Sequence, residues 1–300
     1  MRAFILRKLR LKKPTVAVDS SASPSPDIQQ LPRAALPRDI PISQKQCDLF
    51  EKLSTEIRLL IYEAVLTDPD RPLHFLHVTP LRGRPKKLGH WRCEESDSPY
   101  LMWQHSCFGL WDKGSTRVIR HASHTNSDLL SLLLACRLIY EEAVQVLYSG
   151  NYFSFRGLQG LPSFRALVAP SSWHMLRYVH ISTAFFTPMK DCSENRATFP
   201  LDRYLNWEDG CRMLVSLTEL RLLRIEMMIW DLFGYYDRSG GTVEEQALVF
   251  ILSALKPVRA RTFQVELNLE VPSSVLNALG DVSFELLRTE KLHDRRTFPT

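Results

Sequence analysis

The stretch Leu176-Arg177-Tyr178-Val179-His180-Ile181 sets an apolar spacing that recurs twice further along the chain. Leu220-x-x-Leu223-x-Ile225 and Ala260-x-x-Phe263-x-Val265 repeat it. Alternating apolar positions are typical of a strand with one buried face. Apolar segments near residues 201–217 and 243–255 predict helices between these strands. The sequence therefore predicts an α+β or α/β protein in which strands alternate with returning helices.

The repeated strand–helix unit resembles a degenerate leucine-rich repeat. An ordinary α/β sheet with crossover helices explains the same pattern. In either arrangement the residues between the apolar positions share one sheet face, which is either a protein-binding face or a face that is solvated or covered by other elements. Those residues are Tyr178, His180, Ser182, Leu222, Arg224, Glu226, Thr262, Gln264 and Glu266.

Two helical segments precede the repeat. In the first, which spans residues 47–66, apolar residues recur at three- and four-residue steps and predict one buried stripe. The stripe is Phe50, Leu53, Ile57, Ile61 and Ala64. Leu53, Ile57, Ile61 and Leu66 could contact a partner instead, but an apolar stripe is usually core, and we favour that interpretation for most of them. It leaves Glu56, Arg58 and Tyr62 as the more exposed candidates for contact with a partner.

The second helix is predicted to start near Ser127-Asp128 and to end at Gly150. Its apolar face comprises Leu129, Leu133, Cys136, Tyr140, Ala143 and Leu147. Alternating residues predict strands at 72–78 and 152–155, the first of which is followed by a basic turn. Residues 94–126 are polar, with scattered Trp and His, and predict no regular element.

The net charge of +5 comes from the start of the chain. Residues 1–18 contain six basic side chains and no acid, so the rest carries 32 basic and 33 acidic residues. A nearly neutral body gives no general attraction to nucleic acid or anionic lipid. Six dispersed cysteines favour reduced thiols and an intracellular site, cytoplasm or nucleus. Residues 1–18 also fit a mitochondrial presequence, although a basic arm is the simpler interpretation. No apolar run is long enough to span a membrane.

Three motifs along the chain belong together. The first is Leu53-Ser54-Thr55-Glu56-Ile57-Arg58, continued by Ile61-Tyr62-Glu63 and Leu66. The second begins Leu133-Leu134-Ala135-Cys136-Arg137-x-Ile139-Tyr140-x-Glu142-Ala143 and continues through Leu147-Tyr148-Ser149-x-Asn151-x-Phe153-x-Phe155. The third, His90-Trp91-Arg92-Cys93, lies between them. Together the three motifs resemble the start, the second signature and the middle segment of a large fungal family of uncharacterised F-box-like proteins. The resemblance covers roughly residues 46–270.

The resemblance implies a substrate-recruiting role. In F-box proteins the first helix docks on the adaptor subunit of a cullin-RING ubiquitin ligase, and a downstream domain captures a substrate protein. Ser54 stands where the family motif usually has proline. We therefore expect a non-catalytic protein-interaction module without a cofactor. The sequence contains no recognisable nucleophile, phosphate-binding or dinucleotide-binding motif, which agrees with this expectation. An enzyme that lacks a recognisable motif is a further alternative.

This interpretation divides the chain into four parts. Residues 1–43 are a disordered, Pro- and Ser-rich leader, and residues 44–156 are the F-box-like helical part with a small strand insertion. Residues 157–290 form the strand–helix array, and residues 291–300 are a tail.

One alternative function rests on the basic segment Arg82-Gly83-Arg84-Pro85-Lys86-Lys87. It resembles an AT-hook, whose Arg side chains follow the narrow minor groove of A·T-rich DNA. A solvated hairpin turn explains the same residues, and we favour that interpretation.

A loose group of histidines and cysteines offers possible zinc ligands. The group is His90, Cys93, His105, Cys107, His121 and His124. His90-x-x-Cys93 and His121-x-x-His124 have plausible local spacing. No known pattern joins all six, so we expect no metal site and interpret them as packed or surface residues of a loop-rich segment.

Overall fold

The computed structural model describes residues 47–78, 87–105, 107, 110–111, 118–119, 129–192, 202–231 and 242–291. The helices are α1 (Asp48–Lys52), α2 (Thr55–Leu66), α3 (Leu129–Leu133), α4 (Arg137–Gly150), α5 (Gly160–Leu167), α6 (Pro170–His174), α7 (Met189–Cys192), α8 (Tyr204–Val215), α9 (Glu245–Ser253) and α10 (Ser273–Leu279). The strands are β1 (Leu73–Val78), β2 (Lys87–Arg92), β3 (Leu110–Trp111), β4 (Val118–Ile119), β5 (Tyr152–Arg156), β6 (Tyr178–Thr187), β7 (Leu222–Asp231), β8 (Thr262–Leu267) and β9 (Glu285–Arg288). A short 3-10 helix, Met102–Gln104, follows β2.

Seven strands form one mixed sheet in the order β2-β1-β5-β6-β7-β8-β9. β1 and β2 are antiparallel, and every other neighbouring pair is parallel. Parallel neighbours require helical crossovers, which the intervening helices supply. The predicted α+β or α/β class is confirmed. The sheet continues across the predicted boundary at residue 156, because β5 pairs with both β1 and β6.

The three repeated sequence segments lie side by side in register. Val179 is opposite Leu223, which in turn is opposite Phe263. Ile181, Ile225 and Val265 align in the same way, and all six side chains are buried. The apolar spacing therefore fixes both the strands and their pairing, since a slip by one residue would turn every one of these side chains to the other face.

The main core lies between the sheet and the helices on that face. Residues of α5, α8, α9 and α10 are buried with the inward residues of β5 to β8. Trp207 of α8 is fully buried, and its indole Nε1 donates to the Ile251 carbonyl of α9 at 2.9 Å. Strands in chain order with helices on one shared face match the expected strand–helix array.

The helical part has its own smaller core. Residues of α2, α3 and α4 pack there around Leu73 of β1. Each predicted helix proves to be two helices. Leu53 and Ser54 have extended backbones that separate α1 from α2, and the extended Cys136 separates α3 from α4. The Cys136 sulfur accepts from the Ile139 amide at 3.4 Å, so it caps α4 locally.

Candidate functional site

An ion pair across 84 residues joins α2 to α4. The Arg58 guanidinium donates from Nε and Nη2 to the two carboxylate oxygens of Glu142, at 2.9 and 2.6 Å. Tyr62 donates its hydroxyl to the same carboxylate at 3.1 Å. Burial, followed by the Glu142 hydrogen bond, raises the pKa of Tyr62 to about 12. The bidentate geometry fixes the distance and rotation of α2 relative to α4.

This pairing corrects the predicted orientation of α2. Arg58 and Tyr62 are buried, although the sequence suggested that they were exposed partner contacts. The helix turns this side inward because Glu142 satisfies both polar groups and the Tyr62 ring fills the small core. Glu56 is exposed, as expected.

The residues predicted to be core on α2 face outward instead. Of the predicted core residues, Ile57 is 46 % exposed and Ile61 38 %; beside them Leu60 and Val65, which were not part of the predicted stripe, are 60 % and 52 % exposed. Together with the exposed Ala64 they define an apolar stripe, Ile57-Leu60-Ile61-Ala64-Val65, whose three- and four-residue spacing places all five on one helix face. Leu134, in the turn after α3, and Tyr140 of α4 are exposed apolar residues as well, although the sequence placed Tyr140 on the apolar face of the second helix. The outward side of α2 is therefore an exposed and regular apolar helix face.

Two motif residues fix the C-terminal ends of the same helices. Asn151 donates through Nδ2 to the carbonyls of Leu66 and Leu147, at 2.9 and 2.8 Å. Arg92, in the middle motif, donates to the Leu66 carbonyl at 2.9 Å. These bonds satisfy carbonyls that a helix end leaves without an intrahelical donor. The motif residues therefore position α2 without contributing to its exposed face.

Polar residues fill two neighbouring rows on the sheet face opposite the main core. One row runs His74–Ser154–His180–Arg224–Gln264 and the next runs Arg156–Ser182–Glu226–Glu266. The register confirms that the predicted residues of β6, β7 and β8 share a face.

Part of that face is covered. Glu226 is fully buried and accepts from the Ser182 hydroxyl at 3.1 Å, the Met102 amide at 3.3 Å and Lys291 Nζ at 2.6 Å. Burial by itself raises the pKa of Glu226, but the charge and hydrogen bond of His180, with those of Lys291, hold it well below its usual range.

Glu266 is also buried and lies 2.6 Å from Arg224 Nη2. Glu226 and Glu266 are therefore unavailable to a partner, and the covered-face alternative holds for both. The other predicted contacts on this face are half-buried: Tyr178, His180, Arg224 and Gln264.

The structure brings together three of the six possible zinc ligands and adds one that the sequence did not suggest. Cys93, which directly follows β2, lies beside His105, with Sγ 3.3 Å from Nδ1. His74 of β1 completes a group whose ligand atoms all lie within 4.8 Å of one another. Cys107 is hydrogen-bonded to both Cys93 and His74. The sequence did not suggest His74, because His74 and Cys93 are far apart along the chain. The pairing of β1 with β2 brings them together.

The remaining sequence candidates are not part of this group. His90 lies on β2, opposite Phe75 of β1. His121 and His124 lie outside the described residues. The same holds for Arg82, Gly83, Arg84, Pro85 and Lys86 of the basic segment, while Lys87 begins β2, so DNA binding by this segment stays a prediction.

Comparisons with known proteins place the chain in a family. In the part of the chain described above, no helix combines the length and apolar character required to cross a bilayer. Neither the curated proteins nor the solved structures contain a match to this sequence. A family model described as a domain of unknown function, DUF7730, matches residues 42–287, which include both helical motifs and all of the seven-stranded sheet except Arg288, the last residue of β9. The chain therefore belongs to the DUF7730 family.

Proposed function

We propose that this protein is a non-catalytic interaction module that docks, through the apolar stripe of α2, on the adaptor subunit of a cullin-RING ubiquitin ligase. The outward orientation of the stripe is the observation that carries the proposal. Four of its five side chains are large, and they occur within a single helix of 12 residues.

Burial of the stripe by a partner would contribute favourably to the free energy of binding. Complete burial of a Leu, Ile or Val side chain contributes about 1.5–3 kcal/mol. About half of each large stripe side chain is exposed, so covering the four contributes roughly 3–6 kcal/mol. A regular apolar face on one helix fits the groove of a helical partner, in which anchors recur at three- and four-residue steps.

The resemblance to F-box proteins supports the choice of partner. Ile57 and Ile61 belong to the motif that resembles the leading F-box helix, which is the helix that docks on the adaptor. Within that motif, Arg58 and Tyr62 are engaged by Glu142 on the inner side of α2. The motif thus combines inner residues that orient the helix with outer residues available for docking.

Binding of the full-length chain to purified adaptor subunit tests the proposal. Calorimetry should show saturable binding that the double variant Ile57→Asp/Ile61→Asp weakens at least about tenfold. Half-burial of two isoleucines corresponds to roughly 1.5–3 kcal/mol, and each 1.4 kcal/mol is tenfold in Kd. Leu205→Asp is the matched control, because Leu205 is an 85 % exposed leucine on α8, away from α2.

Each result has a defined meaning once circular dichroism shows that the variants are folded. Tight binding lost only in the double variant supports the proposal. Equal binding by the wild type and the double variant excludes the stripe as the docking surface. No binding of the wild type at micromolar concentrations refutes the adaptor as the partner.

A further inference from the structure

Four side chains with zinc-binding chemistry meet where β1, β2 and the 3-10 helix adjoin. His74 comes from β1, Cys93 directly follows β2, and His105 and Cys107 follow the 3-10 helix. His74, Cys93 and His105 are buried, and Cys107 is half-buried. We propose that His74, Cys93, His105 and Cys107 bind one zinc ion in a closed tetrahedral site. This site is independent of the proposed docking function.

The distances are close to those of a zinc tetrahedron. Zinc binds thiolates at about 2.3 Å and imidazole nitrogens at about 2.0 Å, which puts neighbouring ligand atoms roughly 3.5 Å apart. The distance from Cys93 Sγ to His105 Nδ1 is 3.3 Å. The ligand atoms of His74, Cys93 and His105 all lie within 4.8 Å of one another. Cys107 is not in the group whose ligand atoms lie within 4.8 Å of one another, so its side chain would have to turn toward the other three to complete the site.

Both imidazoles are already oriented for metal binding. His105 Nε2 lies 3.4 Å from the Tyr100 carbonyl, which leaves Nδ1 directed toward Cys93. His74 Nδ1 lies 2.7 Å from the Ser154 hydroxyl, and we assign the ligand role to Nε2, the other ring nitrogen. Zinc-bound histidines commonly hold their other nitrogen in such a bond, because it fixes the tautomer and the ring orientation.

The two sulfurs supply the charge that zinc requires. The Glu94 amide donates to Cys107 Sγ at 3.3 Å, a bond that favours a thiolate. Both cysteines are free thiols in the structure. Two thiolates and two neutral imidazoles neutralise Zn²⁺ and leave no open coordination position, which is the pattern of a structural site.

Zinc at this position would hold a loop-rich segment against the sheet. The 3-10 helix sits on the polar sheet face, where the Trp103 amide donates to Ser182 at 3.2 Å and the Met102 amide donates to Glu226. Leu101 and Trp103 pack there in a small cluster with Ala184 and Met228. Leu101 and Trp103 are fully buried in this position, and a metal that joins Cys93 to His105 and Cys107 would in addition connect the two ends of the segment.

Metal content and coordination test the proposal on the full-length wild type. Protein purified without chelator should contain about one zinc per chain, and the Cys93→Ser/Cys107→Ser variant should lose it. Cobalt substitution should give the intense visible bands of a tetrahedral ion and thiolate charge-transfer absorption. The control Cys47→Ser, an exposed cysteine outside the site, should keep the zinc.

Thiol mapping locates the site without relying on variants that fail to fold. In native protein, a chelator should make Cys93 and Cys107 reactive to an alkylating agent. Cys47 should react with or without chelator, and the buried core residue Cys211 should stay protected in both conditions. A zinc-free wild type purified with zinc in the medium, a disulfide between Cys93 and Cys107, or cobalt spectra without thiolate absorption would overturn the proposal.

Discussion

Replacing Tyr62 by alanine should destabilise the protein far more than replacing Ile57 by alanine. Tyr62 has no exposed surface and packs in the small core with Leu66 and Ile139. Ile57 is 46 % exposed on the opposite side of α2. The pair of substitutions therefore reports which side of this helix faces the protein interior.

The burial of each side chain sets the expected magnitude. Loss of a buried aromatic ring leaves a cavity and costs about 3–5 kcal/mol. Tyr62→Phe keeps the ring and removes only the hydroxyl bond to Glu142, which should cost about 0.5–1.5 kcal/mol. Ile57→Ala should cost about 1 kcal/mol or less, because alanine has the higher helix propensity and the lost contacts are few.

Equilibrium unfolding in urea, followed by far-UV circular dichroism, measures these differences in free energy, and thermal unfolding followed in the same way measures Tm. A chain of this size loses roughly 2–4 °C in Tm per kcal/mol, so Tyr62→Ala should lower Tm by roughly 6–20 °C. Tyr62→Phe serves as the matched control for the aromatic ring. If Ile57→Ala proves as costly as Tyr62→Ala, α2 buries its apolar stripe after all, and the docking proposal loses its basis.

Two other substitutions probe the main core and its pH response. Gly210→Ala should destabilise the chain by about 1–3 kcal/mol in urea unfolding, since a Cβ at Gly210 would lie 2.6 Å from Leu158 Cβ; the neighbouring exposed Asp209→Ala is its control. Burial raises the pKa of Asp202 to about 6, against 3.8 for an unperturbed aspartate. The folded state therefore binds this proton more tightly, so the group's contribution to stability is present below about pH 4 and is lost as the pH rises through 6. Asp202→Asn should remove this pH dependence, because an amide side chain does not titrate in this range. An unchanged slope between pH 4 and 7 in the Asn variant would show that Asp202 does not titrate there.

The strand–helix part of the fold could be predicted because its signals are local. The apolar spacing starting at Leu176, Leu220 and Ala260 marks three strands, and identical spacing brings them into the same register. The helix breaks at Ser54 and Cys136 were missed, since neither residue forbids a helix by itself.

The candidate sites were harder to predict because they depend on distant residues. Arg58 and Glu142 are separated by 84 positions, and no local pattern pairs them. The proposed metal-binding group needs His74 beside Cys93, and antiparallel pairing of β1 with β2 brings those parts of the chain together.

The sequence alone determined the class of the fold, the positions of its main strands along the chain and the face that β6, β7 and β8 share. These features follow from alternation along the chain, which each strand carries within a few residues. Only the tertiary structure decided which side of α2 is buried. The helix has apolar residues on two sides, and the outcome depends on a carboxylate at Glu142 that satisfies Arg58 and Tyr62 from another helix. The stripe Ile57-Leu60-Ile61-Ala64-Val65 was thereby left on the surface.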